Sequence, residues 1–231
     1  MNDNIFNSSP RRRPGSIVGN PSPKATQNST ALRILSSFAL AALIGAAAIV
    51  GGIGVMILSS AIASLMIFEW LRLGTLPLTT RALGAIWLVI VLLSAIALSQ
   101  KVWVMLLLLI TISATDIGAW FFGRRIKSDK LWPNVSAGKT WGGHIAGAVC
   151  GTLACFATGF LLQEQIIPQL IWIGLGIATL SQYGDLTESY FKRKAGVKDS
   201  SNLIPGHGGF LDRFDGWLYA LPLMALISEV L

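Results

Sequence analysis

Polar and apolar residues fall along this chain in long blocks rather than in short alternation. Residues 1–30 are polar, rich in Ser, Asn and Pro, with a cluster Arg11-Arg12-Arg13. That composition predicts a disordered basic tail. From Ala31 to about Trp70 the chain is almost wholly apolar. A membrane-crossing helix needs about 20 residues, so this stretch holds two, with Gly51-Gly52 as the hairpin between them. Further spans are predicted at about 82–100, 102–122, 144–162, 166–190 and 216–231, by the same length criterion. The expected fold class is all-α: a polytopic integral membrane protein of about seven transmembrane helices. Its organisation is a tail, 1–30, and a transmembrane domain, 31–231. The first apolar run exceeds the ~7–15 residues of a signal-peptide core, so the tail is not read as a cleaved leader. No internal repeat is visible.

Composition agrees with the pattern. Hydrophobic residues make up 53% of the chain and charged residues 13%, about half the charge of an ordinary soluble domain. A net charge of +7 would by itself suggest nucleic acid. On a chain so poor in charge it points instead to a membrane protein with cationic loops. With the N-terminus in the cytoplasm, the inward segments are 1–31, 71–81, 123–143 and 191–215. These, with Arg33 at the edge of the first span, hold all of the 18 Lys and Arg residues except Lys101. The expected outer links, Ser99–Lys101 and about Gln163–Gln165, are very short. Chemistry is therefore expected at the inner face. Cys150 and Cys155 lie in an apolar run at a spacing that matches no zinc or redox motif, and read as small buried residues.

The segment Ser181–Gly216 interleaves Asp185, Glu188, Asp199, Asp212 and Asp215 with Lys192, Arg193, Lys194, Lys198 and Arg213. Basic residues alone would orient the protein; the carboxylates need another explanation. Asp185 and Asp116 fall near the inner ends of predicted spans, where an ionised carboxylate costs ~2.5–3.5 kcal/mol and defaults to a functional hypothesis. The alternative is pairing with a nearby Lys or Arg for packing. Asp212 and Asp215 share a face if a helix begins there. Together with Asp185 they could hold Mg2+, which takes one or two carboxylates and shares its shell with phosphates. Equally, they could cap the helix start. The turn Gly206-His207-Gly208-Gly209 would let backbone N–H groups approach an anion, and His207 could bind phosphate, bind metal or complete the loop. In Asp116–Gly143, Gly138-Lys139-Thr140 is not a P-loop, because Pro133 stands where the first glycine belongs. Ser136, Lys139 and Thr140 remain candidate phosphate contacts before a helix start, against a reading as a solvated basic loop. Trp120, Trp132 and Trp141 read as interfacial anchors.

The run from Ser189 through Lys192-Arg193, Lys198-Asp199 and Ile204-Pro-Gly-His-Gly-Gly-Phe-Leu-Asp-Arg-Phe-Asp215 resembles the signature of the phosphatidate cytidylyltransferases. Asp116–Gly143 is similar to a second family segment, with Trp120, Ala137 and Gly142 standing where the family has another aromatic, Pro and Glu. The resemblance covers roughly residues 102–231. It implies transfer of a cytidylyl group from CTP to phosphatidic acid, giving CDP-diacylglycerol and pyrophosphate, and no nucleic-acid partner. It implies Asp185 and Asp212 as Mg2+ ligands, Asp215 and Asp116 next, and a centre that can include K+. It implies Lys192, Arg193, Lys198, Asp199, His207 and Arg213 as catalytic, and Ser136, Lys139, Thr140, Gly208 and Gly209 as substrate contacts. The expected setting is a bacterial inner membrane with a cytoplasmic active site, and a homodimer is a family expectation.

Two other readings make different demands on the sequence. A CTP-using lipid kinase would release CDP rather than pyrophosphate. A transporter or lipid-binding scaffold would need a polar path across the membrane, whereas the acids noted in the predicted spans sit near inner ends. The motif of the CDP-alcohol phosphotransferases is absent from the sequence.

Overall fold

The computed structural model describes residues 23–163 and 168–228. Helices run over Pro23–Val50 (α1), Gly52–Arg72 (α2), Leu78–Leu98 (α3), Val102–Gly123 (α4), Trp141–Gln163 (α5), Gln169–Lys194 (α6), Leu211–Phe214 (α7) and Trp217–Ile227 (α8). α1 begins at Pro23, inside the segment expected to be tail; residues 1–22 lie outside the described residues, as do 164–165 of the expected second outer link, 166–167 of the span expected after it and 229–231 of the expected last span. α6 continues beyond the expected end of its span to Lys194, so Lys192 and Arg193 are helical rather than loop residues.

One correction concerns the fold class. The chain is mostly helical but not all-α: Lys130–Trp132 (β1) and Ser136–Thr140 (β2) pair antiparallel between α4 and α5. The reversal lies at Trp132-Pro133-Asn134-Val135, closed by Val135 N–H donating to Trp132 O at 3.1 Å. Proline presets φ for the first central position of such a turn and asparagine suits the second.

Among the described residues, four helices, α2 to α5, are long and apolar enough to cross a membrane; Ile34–Val50 and Trp217–Ile227 are apolar but shorter. Large apolar side chains are exposed along α1, α5, α6 and α8, among them Ile49, Leu161, Trp172 and Leu226. Water does not tolerate such a girdle and lipid does.

In lipid, helices associate through close packing rather than apolar burial, and small residues make the approach possible. The α4–α5 seam shows this. Gly143, Gly147 and Gly151 stand one turn apart on α5. A Cβ on Gly147 would come within 2.8 Å of Thr115 O and 2.9 Å of Ala119 Cβ, and one on Gly143 within 2.8 Å of Ala119 O. Around this seam, Leu107 and Leu108 of α4, Ile177 of α6 and Met224 of α8 form one packed cluster. A second cluster joins Met66 and Trp70 of α2, Leu88 of α3, Leu211 of α7 and Leu218 of α8. Cys155 is buried, Cys150 partly so, and both are free thiols.

The links sort to two ends. Lys101, the lone basic residue expected outside, donates to Ser228 O at 2.8 Å, and the Gln100 side chain lies against Gly52. The α1–α2 turn, the α3–α4 turn and the end of α8 therefore meet. At the other end, Thr75 of the α2–α3 link donates to Ala195 O at 2.9 Å, joining that link to the loop after α6.

Candidate active site

α6 organises two charged clusters. In the first, Lys139 of β2 pairs with Asp185 of α6, and Ser189 Oγ donates to the same carboxylate at 3.3 Å. Asp116 of α4, Arg124, Thr140 and His144 help line the adjoining cavity of about 350 Å3. Asp215, just before α8, shares this electrostatic neighbourhood. Burial pushes its carboxyl well above the usual carboxylate range, and the charges of Asp185 and Asp116 push it further. Three acids against one nearby ammonium is a donor set short of positive charge.

The second cluster centres on Lys192, 8% exposed. Its ammonium lies 2.6 Å from Glu188 and 2.6 Å from Asp212 of α7. Asp212 also accepts from Ser200 N–H at 2.9 Å, Ser200 Oγ at 3.0 Å and Gly209 N–H at 2.7 Å. Burial alone would raise its pKa; the hydrogen bonds from Lys192 and Gly209 outweigh burial and hold the carboxyl below its ordinary range.

Above this cluster the loop 195–210 is folded tightly. His207 N–H donates to Ile204 O at 2.9 Å, with Pro205 and Gly206 central and Gly206 at φ 77°. A type II turn needs positive φ there, hence the glycine. Arg213 reaches back with Nε and Nη2 to His207 O, at 3.0 and 2.8 Å. The His207 ring lies against α1, 2.8 Å from Ser36 Oγ and 3.2 Å from Ser37 Oγ.

These contacts distribute the expected residues unevenly. Asp116, Asp185, Lys139 and Thr140 come together at one cavity, with Asp215 close enough to feel both acids. Asp212, expected beside Asp185, is held by Lys192, Ser200 and Gly209. Asp212 and Asp215, although three apart, have different partners; Asp215 accepts from Gly216 N–H at 2.7 Å. Thr140 caps α5: its hydroxyl accepts from Gly143 N–H at 3.1 Å. Ser128 Oγ accepts from Gly142 N–H and Asp129 O from Trp141 N–H. The first donors of α5 are thus already engaged, and the Lys139 ammonium there is paired with Asp185. Ser136 is half-buried in β2, while Lys198 and Asp199 are exposed on the loop. Arg193 donates to Val197 O at 3.0 Å. Trp120 and Trp132 are exposed, engaged by Arg124 and Tyr190 respectively, and Trp141 is exposed beside His144.

Gly208 and Gly209 do admit anions to the backbone, and the anions seen are the chain's own. A Cβ on Gly208 would meet Asp212 Oδ2 at 2.6 Å, and one on Gly209 would meet Glu69 Oε2 at 2.5 Å.

Glu69, near the end of α2, was missed by the sequence reading. It is fully buried. Its carboxylate accepts from Ser201 Oγ at 2.6 Å and Phe210 N–H at 3.0 Å through Oε1, and from Leu211 N–H at 2.7 Å and Ser200 Oγ at 3.0 Å through Oε2. A lone acid near the end of an apolar run was the available signal. His144 was also missed; its Nδ1 is buried with no hydrogen-bond partner among the described residues.

Among the described residues no three His, Cys, Asp or Glu side chains form a ready metal cage. Mg2+ does not require one, since it keeps waters and takes one or two carboxylates together with phosphate oxygens. Asp116 and Asp185 at the cavity, with Asp215 near them, offer oxygen donors of the kind such an ion takes.

The family model described as the cytidylyltransferase family matches residues 76–231. The chain belongs to this family. Proteins named phosphatidate cytidylyltransferase are similar to it: one from Staphylococcus haemolyticus is 42% identical over 114 residues, one from Staphylococcus aureus (strain COL) 42% over 117, and one from Staphylococcus epidermidis 41% over 114. Each match covers 49% of this chain and 44% of the relative. The chain thus spans less than half the length of the relatives it matches.

Proposed function

We propose that this chain transfers the cytidylyl group of CTP to phosphatidic acid, releasing pyrophosphate and forming CDP-diacylglycerol for phospholipid synthesis. The observation that carries the proposal is the cavity shared by Asp116, Lys139 and Asp185 at the end of apolar helices, in a chain of the cytidylyltransferase family. One substrate has acyl chains that stay in the bilayer; the other is a soluble polyanion. A site at the membrane face serves both. The seven-span arrangement, with the N-terminus and site in the cytoplasm of a bacterial inner membrane, is part of the same proposal, supported by the bias of Lys and Arg.

In this reaction a phosphate oxygen of phosphatidic acid attacks the α-phosphorus of CTP. The new P–O bond forms as the bond to the β-phosphate oxygen breaks, and pyrophosphate leaves with that electron pair. The nucleophile is already an anion at neutral pH, so no strong general base is required. The task is to bring two anions together, by positioning and charge neutralisation. Lys139 meets phosphate from β2, with Arg124 at the same cavity. Asp185, Asp116 and Asp215 would hold Mg2+, which supplies neutralisation of phosphate charge. Lys192 keeps Asp212 ionised and in place, and Arg213 holds the loop turn against α7.

The test is a product assay with purified protein, CTP, phosphatidic acid and Mg2+. Equimolar CDP-diacylglycerol and pyrophosphate are expected. Release of CDP with a phosphorylated lipid would identify a kinase, and no lipid product would refute the proposal.

A further inference from the structure

We infer that Glu69 is a positioning residue for the transfer reaction, acting from α2 on the loop that carries Asp212; this rests on the cytidylyltransferase reading above. Glu69 lies outside the residues 76–231 matched by the family model, yet it is buried against the densest functional segment of the chain. It accepts from four donors, two backbone N–H groups and two hydroxyls, and has no ion-pair partner among the described residues. Such an arrangement fixes geometry, because each of the two oxygens is satisfied only when two specific loop atoms are in place.

Those donors are the ones that set the position of Asp212. Phe210 and Leu211 N–H open the helical turn in which Asp212 follows. Ser200 Oγ lies 3.0 Å from Glu69 Oε2 and 3.0 Å from Asp212 Oδ2. A hydroxyl has one proton, so the two carboxylates share a single donor and the orientation of one constrains the other. Gly209, whose N–H binds Asp212, has no room for a Cβ beside Glu69. Glu69 therefore holds Ser200 and the start of α7, and these hold Asp212 against Lys192.

The isostere Glu69→Gln tests this. Its amide offers one acceptor oxygen and turns an NH2 group toward donors that need an acceptor. In full-length protein in detergent, with CTP, phosphatidic acid and Mg2+, kcat should fall about tenfold or more while KM for CTP changes less than about threefold. Glu69→Asp, which keeps the charge, should recover part of the loss. Ser201→Ala, which removes a donor not shared with Asp212, should stay within about threefold of wild type. A second readout is independent of turnover: trypsin should cut after exposed Lys198 faster in Glu69→Gln than in wild type. Wild-type kcat in Glu69→Gln, or unchanged cleavage at Lys198, would overturn the inference. Wild-type protein that forms no product would instead refute the cytidylyltransferase reading, and the trypsin comparison would still report whether Glu69 holds the loop.

Discussion

Replacing Lys192 by methionine removes the one ammonium shared by Glu188 and Asp212 while keeping most of the aliphatic stem. Both acids are then left without a cation in a site where Glu188 is 2% exposed and the ammonium formerly stood 2.6 Å from each. Breaking a buried pair by removing one partner costs ~3–5 kcal/mol, most of it the penalty of stranded charge. At about 2–4 °C per kcal/mol for a chain of this size, the thermal midpoint in detergent should fall by roughly 6–20 °C. Turnover should be lost as well, since Asp212 is no longer held. The informative comparison is Glu188→Gln/Lys192→Met. Replacing Glu188 as well takes away one of the two buried acids that lost its partner, so the double variant should be more stable than the sum of the single losses implies, by ~1–3 kcal/mol of coupling. The assay is a thermal unfolding series on the four proteins in one detergent. A Lys192→Met shift below about 2 °C, or strict additivity in the double variant, would refute the description of these residues as one buried cluster.

The half-exposed Lys139–Asp185 pair should behave oppositely. Lys139→Ala should leave stability within ~1 kcal/mol but raise KM for CTP at least about tenfold, read by steady-state kinetics. Gly147→Val should separate α4 from α5, because even one methyl meets Thr115 O and Ala119; a loss of folded protein in size-exclusion chromatography is expected. Thr140→Ala removes the cap on Gly143 N–H and should cost ~1 kcal/mol in thermal unfolding. Removing divalent metal with EDTA should abolish product formation, and added Mg2+ should restore it.

The helices were legible because their cause is local. Apolar runs of spanning length put α2, α3 and α4 within a few residues of their observed limits. The β1–β2 hairpin is hard to read from the pattern because its strands are only 3 and 5 residues long, although Pro133-Asn134 between Trp132 and Val135 is a turn signal. The α4–α5 seam was written in the sequence as Gly143, Gly147 and Gly151 at four-residue spacing, a small-residue pattern for close helices. The site was legible by residue type but not by partnership. Asp185 and Asp212 are equally acidic in a sequence, and only tertiary contacts give one to Lys139 and the other to Lys192. Glu69 was the hardest to see, since its meaning depends on Ser200, 131 residues later.

That separation bears on assembly. α2 is synthesised and inserted long before residues 200–211 exist. Until then its acid must wait without its four donors. The final loop then closes onto a receptor built much earlier, so the first third of the chain acts as the mould in which the last third acquires its working shape. A fragment that begins after α2 would contain every residue of the family signature and still lack the surface on which that signature is cast.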